Sequence, residues 1–216
     1  MQNDRVIEFL RKHKNTYPEY FEKNRLEKIR YGYTCDINQI YCYLNEADIT
    51  KTDYFRFFKI IQKYFNLKNK NLVEVGCGYI PVLSNIIKEN TNCKITAINN
   101  KIIIKNYNDI NTKETDLTQD FDFSNYDLIV GFRPCIITEK IILECFKYKK
   151  EFIIYLCPCA NEPLNKTNYN HKTWHYQDWH QYLIQLVKNN KKYITTIIYN
   201  QLDDDCPIII GKINQN

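Results

Sequence analysis

The sequence predicts an α/β protein: a doubly wound, mostly parallel seven-stranded sheet with an antiparallel last strand, preceded by a helical N-terminal lobe. Three observations predict it. Residues 71–81, Asn-Leu-Val-Glu-Val-Gly-Cys-Gly-Tyr-Ile-Pro, pass from an apolar strand into a turn with two glycines one residue apart. From there on, short β-rich runs alternate with stretches of helical spacing, and such units imply parallel strands covered by helices on both faces. Residues 1–66, by contrast, hold no strand-like run and a single glycine, Gly32. The expected division is therefore a helical lobe over 1–66 and a sheet domain over 71–216.

The lobe is read from apolar spacing near three and four. Val6, Ile7, Phe9 and Leu10 give one stripe. Pro18 breaks it and can start a helix. Leu26, Ile29, Tyr33, Ile37, Ile40, Tyr41 and Leu44 carry the pattern on. Thr50 or Thr52 then caps a helix through Tyr54, Phe55, Phe58, Ile61 and Phe65, because a hydroxyl can accept from a free N–H of the first turn. The lobe can serve as cover for the sheet, as a substrate lid, or as both.

In the sheet domain, Leu72–Val75 is the first strand and the helix after Pro81 leads to a second at Lys94–Ile98. Residues 102–110 form a short crossover whose conformation the sequence does not specify. A weak third strand lies near Lys113–Thr115 and ends at Asp116. Tyr126–Val130 is the fourth, followed by the turn Gly131-Phe132-Arg133-Pro134-Cys135 and a helix over Thr138–Phe146. Glu151–Leu156 is the fifth strand and leads to Cys157-Pro158-Cys159. A helix over Trp174–Asn189 precedes two final strands, Tyr193–Tyr199 and Pro207–Gly211. The short Asp-rich link between them, Asp203–Asp205, makes the last strand antiparallel. Right-handed crossovers bring the strands' carboxyl ends to one edge, so the Gly76 turn and the Phe132–Cys135 turn should face each other across one crevice.

Composition narrows the function. A net charge of +5 permits an anionic small-molecule substrate but is too weak and diffuse to argue for nucleic acid. The nine cysteines are odd in number and several lie in apolar runs, so reduced thiols in a cytoplasmic protein are expected. Met1 leads into Gln2-Asn3-Asp4 with no basic then apolar stretch, so no secretory signal is expected. No apolar run is long enough to suggest a membrane partner. Oligomeric state is not legible.

The segment Val73-Glu74-Val75-Gly76-Cys77-Gly78-Tyr79-Ile80-Pro81 resembles the first motif of the Rossmann-like, class I S-adenosylmethionine-dependent methyltransferases, with an acid two residues before Gly-x-Gly. The resemblance spans roughly residues 71–211 and leaves the helical start outside it. It implies S-adenosylmethionine as cofactor. It also implies that Glu74, Gly76, Cys77 and Gly78 border its methionine end, that Asp116 and Leu117 lie near its adenine, and that Phe132 borders it from the fourth-strand turn. One position departs. The family places an acid after the second strand, where a carboxylate accepts both ribose hydroxyls; here Asn99 and Asn100 stand there. The rival, a dinucleotide oxidoreductase, needs a third glycine where this chain has Pro81, and proline cannot donate to a pyrophosphate.

Methyl transfer to a nucleophilic acceptor can run on positioning alone, so no catalytic residue is required. Arg133, Cys135 and His175 are the candidates. Arg133 could bind a substrate carboxylate or phosphate, or pair with Glu74. Cys135, after a proline, sits where cytosine-5 methyltransferases keep a nucleophile, and Cys157 or Cys159 falls where the RNA enzymes keep another. The same thiols, Cys135, Cys157 and Cys159, could hold a soft metal ion, or simply fill tight turns. His171 and His175 share i, i+4 spacing, but Lys172 stands where a zinc-protease motif needs Glu. His175 could act as a general base, and Trp174, Tyr176 and Trp179 around it could pack the helix or wall a flat substrate. The reading that follows is an S-adenosylmethionine-dependent methyltransferase acting on a small molecule. The alternative is a non-catalytic nucleoside- or metal-binding protein on the same fold, using the Cys cluster.

Overall fold

The computed structural model describes residues 2–17, 35–117, 119, 121–159, 163–164, 175–202 and 205–215. The expected stripe through Pro18, Leu26, Ile29 and Tyr33 lies outside the described residues, as do Lys172, His171, Trp174, Asp203 and Asp204. Among the described residues three helices precede the sheet: α1 (Gln2–Lys12), α2 (Cys35–Tyr43) and α3 (Asp53–Tyr64). Of the two capping threonines considered, Thr52 caps α3, its hydroxyl accepting from Phe55 N at 3.4 Å. The side chain of Asp48 instead caps the single turn Ile49–Lys51.

Then strands and helices alternate: β1 (Asn71–Val75), α4 (Val82–Asn90), β2 (Lys94–Asn99), β3 (Asn111–Glu114), β4 (Leu128–Phe132), α5 (Thr138–Tyr148), β5 (Glu151–Tyr155), α6 (Tyr176–Lys188), β6 (Tyr193–Ile198) and β7 (Ile208–Ile213). They form one seven-stranded sheet in the order β3-β2-β1-β4-β5-β7-β6. β1 pairs in parallel with β2 and β4, and β7 runs antiparallel to both β5 and β6. β4 extends past the expected Val130 because Gly131 and Phe132 still find partners in Ile154 and Tyr155. β3 begins earlier than expected, at Asn111, where it meets Thr96 of β2. The crossover over 102–110 holds one helical turn, Tyr107–Asp109.

Successive strand residues point to opposite faces, and two large apolar clusters follow, beside a small third one of Cys77, Ala97, Ile102 and Ile110. Leu72, Val130, Phe132, Ile153, Tyr155 and Ile208 pack with α1 to α4, through Val6, Ile40, Phe57, Phe58 and Ile86. Val73, Ile129, Phe152 and Ile154 pack against α5 and α6 through Ile141, Trp179, Leu183 and Val187. The N-terminal helices thus share a core with one face of the sheet. Among the described residues no helix is long and apolar enough to cross a membrane.

Candidate active-site crevice

The switch point of the sheet lies between β1 and β4, where the chain leaves in opposite directions and ligand sites commonly form. After β1 the chain turns sharply: Gly76 N and Cys77 N both donate to Ile98 O of β2, at 2.9 and 3.2 Å. Gly76 and Gly78 have φ of 77° and 74°, a region open to glycine at little cost. Each glycine also answers a neighbour. A Cβ on Gly76 would stand 3.1 Å from Pro134 Cβ, and one on Gly78 would stand 2.2 Å from Gln39 Nε2. Gln39, buried on α2, lays its carboxamide across the turn. Its Nε2 donates to Cys77 O at 2.8 Å and its Oε1 accepts from Ile80 N at 3.3 Å. The first group to exploit the bare Gly78 backbone is therefore a side chain of the same protein.

The turn after β4 is strained. Arg133 and Cys135 have φ of 52° and 51° on either side of Pro134, a left-handed conformation costing about 1–2 kcal/mol per non-glycine residue. Arg133 Nη2 reaches Tyr155 Oη at 3.1 Å and Asp53 at 3.4 Å, and the guanidinium lies 4.9 Å from the Tyr155 ring centre. The pairing with Glu74 considered from the sequence does not form; Arg133 ties β4 to the first turn of α3 instead. Beside Asp53, Tyr54 stacks on Phe132 with ring centres 4.3 Å apart.

These two turns enclose a cavity of about 250 Å³ lined by Gly76, Gly78, Asn99, Leu117, Phe132, Arg133 and Cys135, with Gln39, Tyr54 and Asn100. Asn99 Nδ2 donates to Lys101 O at 3.0 Å, leaving its Oδ1 as an acceptor. Asn100 Oδ1 accepts from Leu117 N at 3.0 Å, which carries the loop after β3 to the cavity wall.

The other residues implied from the sequence are not among those lining this cavity. Glu74 is buried beneath the turn, where its carboxyl accepts from Ser84 N at 2.9 Å and Ser84 Oγ at 2.5 Å. It caps α4 from a distance, since Pro81 at the cap position offers no side-chain acceptor. Burial raises its pKa to about 7, against the opposing pull of the Ser84 bonds. Cys77 is buried, and burial together with the nearby Glu74 holds its thiol well above its ordinary range. Asp116 is exposed and accepts from Gln119. His175 is exposed at the cap of α6, its backbone N–H donating to Asp178 at 2.8 Å. Trp179 packs in the core beneath α5 and α6, stacked on Tyr182.

Cys135, Cys157 and Cys159 do converge: their sulfur atoms all lie within 4.8 Å of one another at the ends of β4 and β5. Cys157 is buried, Cys135 half-buried and Cys159 exposed. The backbone oxygen of Cys157 is bonded to Nε2 of the buried His180 at 2.8 Å.

Gln39, Asp53, Tyr54 and Ile137 are among the site residues that sequence reasoning missed. The one available signal was Gln39 itself, a polar residue inside the apolar helical spacing of Ile37, Ile40 and Tyr41.

No protein-family model matches the sequence, and no curated protein matches it. Solved structures do. The plantazolicin methyltransferase BpumL, solved with SAH, is similar over 99% of this chain and 100% of its own, with a TM-score of 0.53 at 13% identity. A protein of Methanococcus maripaludis, described as a candidate S-adenosyl-L-methionine-dependent methyltransferase, is similar over 81% of this chain and 93% of its own, with a TM-score of 0.50 at 18% identity. With its seven-stranded order and its antiparallel β7, the chain carries the Rossmann-like fold of the class I S-adenosylmethionine-dependent methyltransferases.

Proposed function

We propose that the protein is an S-adenosylmethionine-dependent methyltransferase acting on a small molecule. The observation that carries this reading is the cavity at the switch point, walled by both glycines of the β1 turn and by Phe132 of the β4 turn. Its chemistry fits an adenosyl group. Leu117, Ile137 and Phe132 offer apolar walls for a flat ring, and the Asn99 carboxamide oxygen offers one acceptor for a ribose hydroxyl. Its volume of about 250 Å³ lies just under the 300 Å³ or so at which small-molecule sites begin. The Gln39 carboxamide takes up the space over Gly78, so its withdrawal would lengthen the cavity along the turn.

When bound, the cofactor supplies a methyl group on a sulfonium, a carbon already activated for transfer. The protein's share is then to exclude water and to align the acceptor. Tyr54 and Phe132 form an aromatic wall on the side of α3. Arg133, held by Asp53 and Tyr155, presents a cation at the cavity edge. That cation favours an acceptor bearing a carboxylate or phosphate.

Calorimetric titration with S-adenosylmethionine and S-adenosylhomocysteine tests the reading. One site of micromolar or tighter affinity for either supports it. No heat and no thermal shift with either would overturn it.

A further inference from the structure

The three thiols at the ends of β4 and β5 are not needed for methyl transfer by positioning, and one of them, Cys135, sits on a strained backbone. Cys135 is aimed by a turn in which two non-glycine residues, Arg133 and Cys135, hold left-handed backbone conformations. Strain of this kind persists where the surroundings impose it and marks sites with a task. Pro134 presses that turn onto Gly76 and Gly131, with contacts of 3.1 Å to where a Cβ would lie on either glycine. The opposite turn is fixed by the bond between His180 and Cys157 O. Two rigid strand ends therefore deliver sulfur atoms to one point.

We propose that Cys135, Cys157 and Cys159 form a three-thiolate site for a zinc-class divalent cation at the edge of the crevice. The geometry is close to what such an ion requires. Zinc–sulfur bonds of 2.3 Å in a tetrahedron set the sulfurs about 3.8 Å apart, and all three already lie within 4.8 Å of one another. Side-chain rotation of the exposed Cys159 and half-buried Cys135 spans the difference without moving a strand. A soft, polarisable ligand set selects zinc over magnesium or calcium, which prefer oxygen. On binding, each thiol releases its proton to solvent, and the ion offsets two of the three negative charges, leaving a site of net charge about −1 in place of three thiolates that repel one another. The described residues supply three donors and leave the fourth position of a tetrahedral ion to a further ligand. Cys135 also lines the cavity, so the ion would stand at its wall.

The test uses the full chain purified under reducing conditions without chelator, with Zn²⁺ measured by elemental analysis. The stripped protein is then titrated with Zn²⁺ against a chromogenic chelator, and with Co²⁺ followed by absorption. We expect one equivalent of metal per chain and an intense near-ultraviolet thiolate-to-cobalt band. Since loss of even an outer-shell partner weakens metal sites by about 10–100-fold, Cys159→Ser should weaken binding by about 100-fold or more. Cys159 is exposed, so this variant keeps the fold, which circular dichroism checks. Cys93→Ser, at a buried cysteine outside the cluster, should bind as the wild type does. No uptake of either metal by the fully reduced chain, or equal affinity in Cys159→Ser, would overturn the proposal. So would a disulfide among the three in metal-free protein as purified. None of these readouts depends on methyl transfer or on S-adenosylmethionine binding.

Discussion

Gly78→Ala tests whether the β1 turn is built to receive Gln39. The substitution has two separable costs. Alanine at φ 74° carries a left-handed penalty of about 1–2 kcal/mol. Its Cβ would also stand 2.2 Å from Gln39 Nε2 and 2.6 Å from Gln39 Oε1, which forces the carboxamide away. The bonds to Cys77 O and Ile80 N are then lost in a buried setting, at about 1–3 kcal/mol. The single variant should lose about 2–5 kcal/mol in all. In a Gln39→Ala background the clash and the bonds are already gone, so Gly78→Ala should there cost only its backbone strain. The double-mutant cycle should show a coupling of about 1–3 kcal/mol. Urea unfolding followed by circular dichroism measures it from midpoints at unchanged slope. Additivity within about 0.5 kcal/mol would refute the reasoning, because Gly78 would then answer only to its own dihedral angles.

Glu74 gives a pH signature. Its pKa rises from 4.5 to about 7 on folding because of burial, so between these values the native state holds a proton that the unfolded state has released. Stability should therefore fall as pH rises from about 4.5 to about 7, by roughly 3 kcal/mol, and level off above. In Glu74→Gln that fall should be absent in urea titrations across the range. Asp53→Asn should cost about 1–2 kcal/mol, since the pair with Arg133 is largely shielded, with side chains 14% and 17% exposed. Comparing the loss at 0.1 and 1 M salt should show little screening. Asn99→Asp should tighten S-adenosylmethionine binding about tenfold by calorimetry, since a carboxylate can accept both ribose hydroxyls where the amide accepts one. An unchanged affinity would mean that the ribose lies elsewhere.

The sheet was legible because its signals are local. Leu72-Val73-Glu74-Val75 followed by Gly-Cys-Gly announces a strand and a turn within a few residues. Phe132 could be expected at the crevice because topology carries strand ends to one edge, and Leu117 because the family resemblance implies it. Topology likewise predicts four thiols, Cys77, Cys135, Cys157 and Cys159, at one edge; the last three do meet, whereas Cys77 is buried in the β1 turn outside their cluster. Contacts across sequence distance were not. Gln39 meets Gly78, and Asp53 meets Arg133, only because α2 and α3 pack on the sheet, and no period or motif encodes which helical residue faces which turn. Glu74 illustrates another limit. Its place in the motif speaks of a ligand, whereas its side chain is turned by burial toward the free N–H groups of α4, a choice made by the missing cap at Pro81.

The position of β7 bears on how the chain is made. It is the last strand in sequence, yet it fills the slot between β5 and β6. Until residues 208–213 have left the ribosome, β5 keeps one open edge and β6, whose only partner is β7, has no strand to pair with; their unpaired amides and carbonyls are a template for other nascent chains. Closure also recruits the helices, for Lys212 Nζ donates to Tyr64 O at the end of α3 at 2.6 Å. A frameshift or nick that removes this one strand would therefore release β6 from the sheet and leave an open seam along β5, rather than a frayed tail.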